Sequence, residues 1–453
     1  MTDGLRMATE KMQAAGVTDT AIAIFADYYA QLVGGTTGLV PEESIAPIGD
    51  VVRLEDVASS PDDIDAFAKT VMIRLNGGLG TSMGLSKAKS LLPVRDGLTF
   101  LDLIARQVLA ARAHFRVRLP LLFLHSFNTR DDCLAALAAY PELVVDGLPL
   151  DMVQSQEPKL LASDLTPVSW PADPKLEWCP PGHGDIYPTL LDSGVLDALL
   201  DAGFRYANVS NSDNLGASPS PVLAGWFARS GAPFAAEITP RTPMDVKGGH
   251  LAQRRSDGQL ILRESAQTTA EDMQYFTDAE IHPYASTNNL WFDLQVLRDV
   301  LRERGGVLGL PIIRNDKTVD PKDPSSPAVI QIESAMGAAI EVFEGATAIV
   351  VPRSRFLPVK TTNELVLLRS DVYEWGDDDI PRATVDTLPV VSLGHTYKKI
   401  GDLDARMPSP LELRDATSLT VTGDWTFGAD VSVVGDVTLG DEGGHVPDAA
   451  KLR

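Results

Sequence analysis

A glycine-rich loop followed by lysines is the part of this sequence best suited to binding phosphate. Residues 74–84 read RLNGGLGTSMG, and Lys87 and Lys89 follow closely. Glycines let the backbone approach a phosphate closely, so that successive N–H groups can point at its oxygens. Lysine adds a compact positive charge. We therefore predict a phosphate site here, and a tight structural turn is the alternative for the same glycines.

The spacing of this loop excludes the ATPase P-loop and argues against a dinucleotide fingerprint. Gly-x4-Gly-Lys-Ser/Thr is absent, and Gly78-x-Gly80-x-x-x-Gly84 has one residue too many for Gly-x-Gly-x-x-Gly. No acidic residue closes a strand about 20 positions further on, where a dinucleotide fold would bind ribose. A nicotinamide-dependent oxidoreductase on a doubly wound sheet is therefore kept only as a rival hypothesis.

Two charged residues follow predicted strands, at the carboxyl edge of the sheet where a ligand-binding crevice would form. Asp213 comes just after YANVS, and Lys360 comes directly after VPRSRFLPV. Open α/β sheets bind ligands outside the carboxyl ends of their strands, and a carboxylate there suits Mg²⁺. A helix cap is the alternative role for Asp213. Arg353 and Arg355 either contact phosphate or form structural ion pairs.

Short apolar runs alternate with helical stretches from Val71 to about residue 370. This alternation predicts an α/β domain with a largely parallel sheet. The helix-like FLDLIARQV follows the glycine-rich loop, and Asp257-Gly258 between two alternating runs predicts a hairpin. The candidate strands are VMIRL (71–75), PLLFLHS (120–126), YANVSNSD (206–213) and AIVVP (348–352).

The amino-terminal region predicts an amphipathic helix over residues 19–33. Asp19 can cap its start and Gly34-Gly35 can end it. The acidic stretch from there to about residue 60 is typical of a connector. The apolar residues that share one face of the helix are Ile22, Phe25, Tyr29 and Leu32.

The carboxy-terminal region carries apolar pairs that recur every six residues. A six-residue period with an i, i+2 apolar pair is what a hexapeptide β-helix needs, and two ordinary β-hairpins are the alternative. Because so short a β-helix cannot cover its own ends, we expect another copy to stack on it in a homo-oligomer. The pairs are Leu419/Val421, Trp425/Phe427, Val431/Val433 and Val437/Leu439.

The composition is that of a soluble globular protein, with 44% hydrophobic and 22% charged residues among 453. The formal charge of −23 argues against nucleic-acid binding, so phosphates would be held by local cations, backbone N–H groups and a divalent metal. We see no signal peptide, and no apolar run approaches the ~20 residues of a membrane helix. The two cysteines, Cys133 and Cys179, match no metal-ligand spacing, so we expect a reducing, cytoplasmic setting.

LNGGLGTSMG with the following KS closely resembles the signature of the eukaryotic-type UTP–glucose-1-phosphate uridylyltransferases, also called UDP-glucose pyrophosphorylases. Further segments resemble that family's blocks in the family's order, over roughly residues 70–370. They are SFNT (126–129), Gln154 in MVQSQEPKL, PPGHGDIY (180–187), VSNSDNLGA (209–217), DVKGG (245–249), STNNLW (286–291) and VPRSRFLPVKTT (351–362).

The resemblance implies in-line attack by a phosphate oxygen of glucose 1-phosphate on the α-phosphorus of UTP, without a covalent intermediate and with Mg²⁺. Lys89 and Lys360 are the implied catalytic cations, Asp213 the metal ligand, and the Gln154 amide suits the uracil edge. The residues implied at UTP are Leu75, Asn76, Gly77, Gly78, Lys89, Gln154, Gly182, Asp213 and Lys360. Those implied at the sugar phosphate are His183, Asn211, Ser212, Asp213, Lys247, Asn288 and Asn289.

Two details of the loop sequence indicate which sugar 1-phosphate is used and which lysine matches the family pattern. Relatives that use N-acetylglucosamine 1-phosphate tend to carry a Thr-Arg-Leu-Gly type of loop, whereas residues 81–84 read TSMG. Another sugar 1-phosphate, such as N-acetylglucosamine 1-phosphate or galactose 1-phosphate, is the alternative substrate. Where the family commonly reads CKGPKS, this chain reads LSKAKS, so Lys89 is in place and Lys87 is displaced by one position. A third hypothesis is a scaffold protein without catalytic activity. The presence of Lys89, Asp213 and Lys360 argues against it.

The resemblance also implies the architecture of nucleotide-diphospho-sugar transferases. This is a central Rossmann-like mixed, mostly parallel sheet with a helical amino-terminal piece and a short carboxy-terminal left-handed β-helix. We accordingly divide the chain into a helical segment (1–60), a catalytic nucleotidyltransferase domain (61–385) and a β-helix domain (386–453).

Overall fold

The computed structural model describes residues 2–242, 245 and 248–453 of the chain, and the predicted sugar-site residue Lys247 lies outside the described residues. None of the helices in these ranges is long and apolar enough to cross a membrane. The α-helices are α1 (Asp3–Ala14), α2 (Asp19–Val33), α3 (Asp62–Ala68), α4 (Phe100–Phe115), α5 (Arg130–Leu137), α6 (Ile186–Asp192), α7 (Val195–Asp201), α8 (Pro221–Ser230), α9 (Met273–Phe276), α10 (Leu294–Glu303), α11 (Thr362–Arg369) and α12 (Ile400–Arg406).

The strands are short, as in most α/β proteins. They are β1 (Ile45–Pro47), β2 (Thr70–Asn76), β3 (Pro93–Arg95), β4 (Leu98–Thr99), β5 (Leu121–His125), β6 (Asp151–Val153), β7 (Glu157–Pro158), β8 (Leu160–Leu161), β9 (Trp178–Cys179), β10 (Tyr206–Asn211), β11 (Phe234–Pro240), β12 (His250–Arg254), β13 (Leu260–Arg263), β14 (Tyr284–Asp293), β15 (Ile312–Thr318), β16 (Ala328–Ser334), β17 (Thr347–Val350), β18 (Tyr373–Trp375), β19 (Pro381–Ala383), β20 (Val390–Leu393), β21 (Ala416–Val421), β22 (Trp425–Phe427), β23 (Ser432–Val433), β24 (Gly435–Leu439), β25 (Gly444–Val446) and β26 (Lys451–Leu452).

A seven-stranded sheet in the order β17-β11-β14-β10-β2-β5-β6 forms the centre of the molecule. Its neighbouring strands are parallel, except that β14 runs antiparallel to both β10 and β11. The four predicted strand segments fall on β2, β5, β10 and β17. The prediction of a mixed, mostly parallel α/β sheet is therefore confirmed.

Burial on both faces explains why these apolar runs form central strands. On β2, Val71 and Ile73 belong to the apolar cluster that also contains residues of α6, α7 and α10. Met72 belongs to the cluster on the other face, with residues of α4 and α8. A parallel strand covered on both faces needs a nearly continuous apolar sequence. The sheet thus forms the middle layer between two layers of helices.

The amino-terminal helix α2 follows the prediction in extent and in its buried face, because all four predicted apolar residues are buried. The predicted cap was wrong. The N-cap is Thr18, whose hydroxyl accepts a hydrogen bond from the N–H of Ala21, and Asp19 is already the first helical residue. An acidic first residue still interacts favourably with the helix dipole.

The predicted connector contributes a strand to the fold. Its β1 pairs antiparallel with β12, so this stretch is partly structured. Strands β12 and β13 also pair antiparallel across Asp257-Gly258, which confirms the predicted hairpin. The resulting three-stranded sheet has the order β1-β12-β13.

Strands near the carboxyl terminus pair in parallel with partners eighteen or nineteen positions away. Leu419 lies opposite Val437, and Phe427 lies opposite Val446. Hairpins would pair antiparallel, so the hairpin alternative is wrong for these strands. The side chains of these four residues are all buried.

Candidate active site

A cavity of about 280 Å³ opens where β2 and β10 end. The parallel register of these strands places the glycine-rich loop, which follows β2, beside Asp213, which follows β10. The cavity therefore lies outside the carboxyl ends of the strands, where α/β sheets bind ligands. It contains ten of the predicted site residues. Its lining consists of Leu75, Gly77, Gly78, Lys89, Leu124, Gln154, Pro180, Gly182, His183, Asn211, Ser212 and Asp213.

The floor of the cavity is a stretch of backbone whose carbonyl groups are all engaged by hydroxyls. The carbonyl oxygens of Leu75, Asn76 and Gly77 accept hydrogen bonds from hydroxyls at 2.7, 2.7 and 2.8 Å. The donors are Ser212, Thr129 and Ser126, respectively. No described residue accepts a hydrogen bond from the N–H of Gly77 or of Gly78. The floor can therefore offer N–H groups to an anion.

The glycine-rich loop folds back on itself and carries Lys89 over the cavity. The N–H of Gly80 donates to the carbonyl of Lys87, and the N–H of Lys89 donates to the carbonyl of Gly78. Gly84 has φ of +79° at the far turn, a conformation that favours glycine. Lys87 is exposed, whereas Lys89 reaches the cavity. The displaced lysine thus does not take the place of Lys89.

Lys89 and Asp213 form an ion pair at the mouth of the loop. The ammonium nitrogen of Lys89 lies 2.6 Å from Oδ2 of Asp213. Asp213 caps no helix, since the N-cap of the next helix, α8, is Ser220. The cap alternative for Asp213 is therefore wrong. The ion pair joins the segment after the glycine-rich loop to the segment that follows β10.

The second carboxylate oxygen of Asp213 fits a metal ion. Oδ1 is buried and has no hydrogen-bond partner among the described residues. These residues contain no group of three or more His, Cys, Asp and Glu side chains that could hold a metal. Mg²⁺ is commonly bound by one or two carboxylates together with substrate phosphates and water. A single free carboxylate oxygen beside a phosphate site matches that mode of binding.

His183 enters the cavity as a neutral hydrogen-bond donor. Its Nδ1 accepts a hydrogen bond from the N–H of Met336 at 3.0 Å, and burial lowers its pKa to about 4. The imidazole is therefore neutral at pH 7, and its proton lies on Nε2. Next to it, Gly182 has φ of +84°, and a Cβ there would lie 2.5 Å from the carbonyl oxygen of Ser334. Only glycine allows this close approach.

Gln154 lines the cavity beside Gly77 of the loop. Its N–H donates to the carbonyl of His125 at 2.8 Å, which continues the pairing of β6 with β5 beyond the end of the strand. A Cβ at Gly77 would lie 2.9 Å from Gln154 Nε2, so the glycine leaves room for this amide. Asn76, by contrast, turns its buried side chain away from the cavity toward His125 and Cys133. Only its backbone belongs to the floor.

The sugar-side residues divide into one group at the cavity and one behind it. Asn288 donates to the side chain of Asn211 at 3.0 Å and has φ of +57°, which is uncommon for a residue other than glycine. Asn289 is fully buried, and its amide bonds to Asn214, to Glu237 and to the carbonyl of Arg355. The structure therefore does not bring the side chain of Asn289 to the cavity.

Lys360 is exposed and lies just outside the cavity lining. The preceding residue, Val359, donates its N–H to the carbonyl of Asp213 at 3.3 Å. Burial raises the pKa of Glu264, and the nearby ammonium of Lys360 opposes that rise. The carboxylate of Glu264 lies 2.6 Å from where a Cβ of Gly249 would stand. Lys360 therefore lies near both Asp213 and the Glu264 carboxylate beside Gly249.

A buried charge network anchors the segment that carries Lys360. Glu237 is fully buried and accepts hydrogen bonds from Arg355 at 2.8 and 3.0 Å, from Trp291 at 2.9 Å and from Asn289 at 3.1 Å. Burial raises its pKa, but the Arg355 charge and these hydrogen bonds outweigh that effect and hold the pKa below its usual value. Arg353 likewise pairs with Asp245 at 2.6 Å. Both arginines thus form structural ion pairs.

Sequence reasoning missed three residues that shape the site. The hydroxyls of Ser126 and Thr129 hold the cavity floor, and Glu264 lies beside Gly249 and Lys360. SFNT at the end of β5 was a usable signal, because Ser and Thr after a strand commonly bond to backbone groups. Nothing in the sequence around Glu264 indicates its neighbours, because they lie on other segments.

Comparison with known proteins gives one consistent result across the chain. The family model described as UTP–glucose-1-phosphate uridylyltransferase matches residues 22–434. The UTP–glucose-1-phosphate uridylyltransferase of Solanum tuberosum is 39% identical over 422 residues, which cover 91% of this chain and 84% of that protein. The enzyme of the same name from Hordeum vulgare is 36% identical over 464 aligned positions and covers 100% and 95% of the two chains.

Solved structures show the same similarity. A mutant of UDP-glucose pyrophosphorylase from Leishmania major in complex with UDP-glucose superposes with a TM-score of 0.94 at 39% identity. UDP-glucose phosphorylase from Trypanosoma brucei superposes with a TM-score of 0.92 at 39% identity. Each match covers 100% of this chain and 98% of the other. The mixed, mostly parallel sheet described above is therefore the fold of these proteins.

The Glu237 network predicts a specific loss of stability. Glu237→Gln should lower the free energy of unfolding by about 3–5 kcal/mol, because it leaves Arg355 buried without its counter-charge. Since the folded-state pKa of Glu237 lies below its usual value of 4.5, its contribution is present above pH 4.5 and is lost as the pH falls further. Urea unfolding at pH 7 and thermal unfolding between pH 3 and 7 measure both effects. The acid-dependent part should be absent from the variant.

Asp378→Asn is the matched control for this prediction. Asp378 pairs with Arg382 at the surface, where the two side chains are 37% and 47% exposed. Removing such a pair should cost less than about 1 kcal/mol. Equal losses in the two variants would contradict a special role for the buried network.

Proposed function

The chain belongs to the family of UTP–glucose-1-phosphate uridylyltransferases, and from that premise we propose that it joins UTP to glucose 1-phosphate in the cavity between β2 and β10. The products are UDP-glucose and pyrophosphate. The observation that carries this assignment is the Lys89–Asp213 pair beside the glycine-rich floor. It supplies a cation for phosphate and a carboxylate for a metal at the carboxyl edge of the sheet.

UTP binds along the floor of the cavity, with its base toward Gln154 and its phosphates toward Lys89. The amide of Gln154 carries both a donor and an acceptor, which matches the edge of uracil. Gly182 lines the same cavity and offers its backbone to the base or ribose. The N–H groups of Gly77 and Gly78 and the ammonium of Lys89 face the phosphate chain. These contacts use Leu75 and Asn76 only through their backbone.

Asp213 would hold Mg²⁺ through its Oδ1, which is buried and has no hydrogen-bond partner among the described residues. When bound, the ion neutralises charge on the triphosphate. Lys89 remains hydrogen-bonded to the other carboxylate oxygen or exchanges that bond for a phosphate oxygen. Either arrangement keeps positive charge at the α-phosphate, where negative charge accumulates during transfer.

The chemical step requires alignment and charge neutralisation. A phosphate oxygen of glucose 1-phosphate forms a bond to the α-phosphorus, and the bond from that phosphorus to the oxygen bridging the β-phosphate breaks. Pyrophosphate leaves with the electron pair, and no covalent enzyme intermediate forms. Lys360 and Lys89 stabilise the redistributed charge electrostatically. His183 donates from Nε2 to the incoming sugar phosphate, and two reactants fixed in this way react as one unit.

Glucose lies toward the far wall of the cavity. Asn211 and Asn288 form a hydrogen-bonded pair that faces this side, and Glu264 provides an acceptor for sugar hydroxyls beside Gly249. Ser212 donates its hydroxyl to Leu75 and so positions the floor. Asn289 holds Asn214 and Arg355 behind the site.

The chain has three parts: a helical segment (1–60), a catalytic domain (61–385) and a left-handed β-helix (386–453). Support for the β-helix is the parallel pairing at eighteen or nineteen residues, because three six-residue faces per coil make eighteen residues and a spacing of nineteen contains one extra residue. Strands β24, β25 and β26 each have a partner on one side only. Such free edges are covered in natural proteins, which supports a homo-oligomer through this part.

Two free, buried cysteines support a cytoplasmic setting.

The reaction itself is the first prediction from this proposal. With Mg²⁺, the purified protein should release pyrophosphate from UTP and glucose 1-phosphate and run the reverse reaction with UDP-glucose. N-acetylglucosamine 1-phosphate and galactose 1-phosphate should give kcat/KM values at least ~10-fold lower, since sugar hydroxyl contacts set the discrimination. EDTA should abolish turnover, and added Mg²⁺ should restore it. Preferred use of another sugar 1-phosphate would overturn the substrate assignment, and no turnover at all would favour a scaffold.

Lys360→Ala should reduce kcat by about 10²–10³ while KM for UTP changes less than about threefold. Its charge is most needed as negative charge develops in the transition state, and removing one such group typically costs this much. Lys87→Ala is the control, because Lys87 is an exposed lysine near the site that does not line the cavity. Steady-state kinetics in both directions would measure the effects. A Lys360→Ala enzyme with unchanged kcat would remove Lys360 from the mechanism.

Removal of residues 411–453 should lower the assembly state while some activity persists in the separated chains. The strands with free edges lie in this segment, and none of the site residues does. Light scattering after size-exclusion chromatography on the full-length and shortened proteins provides the measurement. A full-length monomer at micromolar concentration would refute the oligomer. An unchanged oligomer after truncation would place the interface elsewhere.

A further inference from the structure

Asp185 is a buried carboxyl group that connects two walls of the cavity without lining it. It is 6% exposed and immediately precedes α6, on the turn that carries His183. Its Oδ2 accepts hydrogen bonds from the N–H of Ser155 at 2.6 Å and from the hydroxyl of Thr189 at 3.0 Å. Ser155 directly follows Gln154 on the opposite wall. One carboxyl oxygen therefore joins the segment with Gln154 to the turn with His183.

The bond to Ser155 is not required by the local structure of the helix. Asp185 occupies the N-cap position of α6, yet its side chain makes no capping hydrogen bond there. It bonds instead to a backbone N–H thirty positions away in sequence. The Ser155 N–H is partly buried, so losing this acceptor would carry a cost for an unmade hydrogen bond. The contact therefore constrains how far the two walls can separate.

We propose that Asp185 is a positioning residue for uridylyl transfer, which sets the distance between the uracil-binding Gln154 and the phosphate-binding His183. This inference rests on the function proposed above for those two residues. Because the uracil and the phosphates belong to one nucleotide, the two contacts are made together only if the walls keep this spacing. Asp185 touches no substrate and acts through its neighbours.

The surroundings of Asp185 make its ionisation sensitive to pH near neutrality. Burial raises its pKa to about 7, and the charge of Asp192 adds to that rise, whereas the hydrogen bonds from Ser155 and Thr189 oppose it. The other titratable groups that face it are Glu157 on β7 and Tyr28 on α2, and none of these described neighbours is a cation. A second cavity, of about 360 Å³, reaches Asp185 beneath the turn between α1 and α2.

Two states of Asp185 should therefore hold the walls with different strength. Above pH 7 the carboxylate is ionised and accepts charge-assisted hydrogen bonds, which are shorter and stronger than neutral ones. Below pH 7 the group is protonated and its bonds are those of a neutral acceptor. Because His183 has a pKa of about 4, it stays neutral over this range and does not contribute.

Substitution of Asp185 by alanine removes the hydrogen-bond acceptor, whereas substitution by asparagine removes only its negative charge. Asp185→Ala should raise KM for UTP by at least about tenfold, with a smaller change in kcat, because the acceptor is lost. Asp185→Asn keeps a neutral acceptor, so its KM should match wild type at pH 6 and exceed it by about threefold at pH 8. Asp192→Asn on the same helix is the control and should leave KM at pH 8 within about twofold of wild type. Thermal unfolding checks that each variant is folded.

The pH dependence gives a readout that a merely structural role would not change. The ratio of KM for UTP in Asp185→Asn to that in wild type should rise between pH 6 and pH 8. Titration of UTP itself affects both proteins equally and cancels from this ratio. A ratio that is independent of pH, or that falls, overturns the proposal, as does a folded Asp185→Ala enzyme with wild-type KM and kcat.

Two further measurements keep the test decisive. If Asp185→Ala does not fold, Thr189→Val removes one of the two hydrogen bonds and should raise KM for UTP by about threefold, and an unchanged KM counts against the proposal. Failure of the wild-type protein to release pyrophosphate would overturn the proposed function instead. An active wild type with unaffected position-185 variants overturns only the positioning role.

Discussion

The register between β2 and β10 is the constraint on which the rest of the site depends. Six residue pairs align the strands from Thr70 and Tyr206 to Leu75 and Asn211. A slip by one residue would move the chain by about 3.3 Å and turn every side chain to the opposite face. Met72 and Val71 would then exchange apolar clusters, and Lys89 would lose its 2.6 Å contact with Asp213. Core packing thus determines the geometry of the charged pair.

Two buried carboxyl groups behind the cavity illustrate different physical solutions. Glu237 is paired with Arg355 and satisfied by four hydrogen bonds, so it stays ionised and anchors the segment that leads to Lys360. Asp185 has no cation among its described neighbours, and its pKa lies near neutrality. Burial of a charge is costly unless it is paired. The first group therefore forms a rigid support, and the second forms one whose strength depends on pH.

The acidic character of the whole chain makes local charge placement decisive. With a formal charge of −23, the protein as a whole does not attract a nucleoside triphosphate or a sugar phosphate. In the proposed site, that attraction comes from Lys89, Lys360, the N–H groups of the floor and a bound divalent ion. Asp213 holds the Lys89 ammonium in place, while its other oxygen has no hydrogen-bond partner among the described residues. The positive charge is thus arranged before substrate arrives, which reduces the reorganisation that transfer requires.

The sequence by itself determined the class of the fold and the composition of the site. Continuous apolar runs predict central strands, the Asp257-Gly258 turn predicts its hairpin, and the glycine-rich loop with Lys89 predicts phosphate binding. These signals are local, because each depends on residues within a few positions of one another. Asp213 and Lys360 were also recognisable, since they follow strands and belong to blocks that resemble a known family.

Tertiary structure alone decided which side chain of each block reaches the cavity. Asn288 and Asn289 are adjacent in sequence, but the pairing of β14 with β11 shifts register beside them and Asn288 has a left-handed φ, so their side chains take different partners. The same holds for Ser126 and Thr129, whose hydroxyls bond to carbonyls about fifty positions away. Asp185 likewise acquires its role from Ser155 on another segment. Contacts between distant segments arise only when the chain packs, so no local pattern records them.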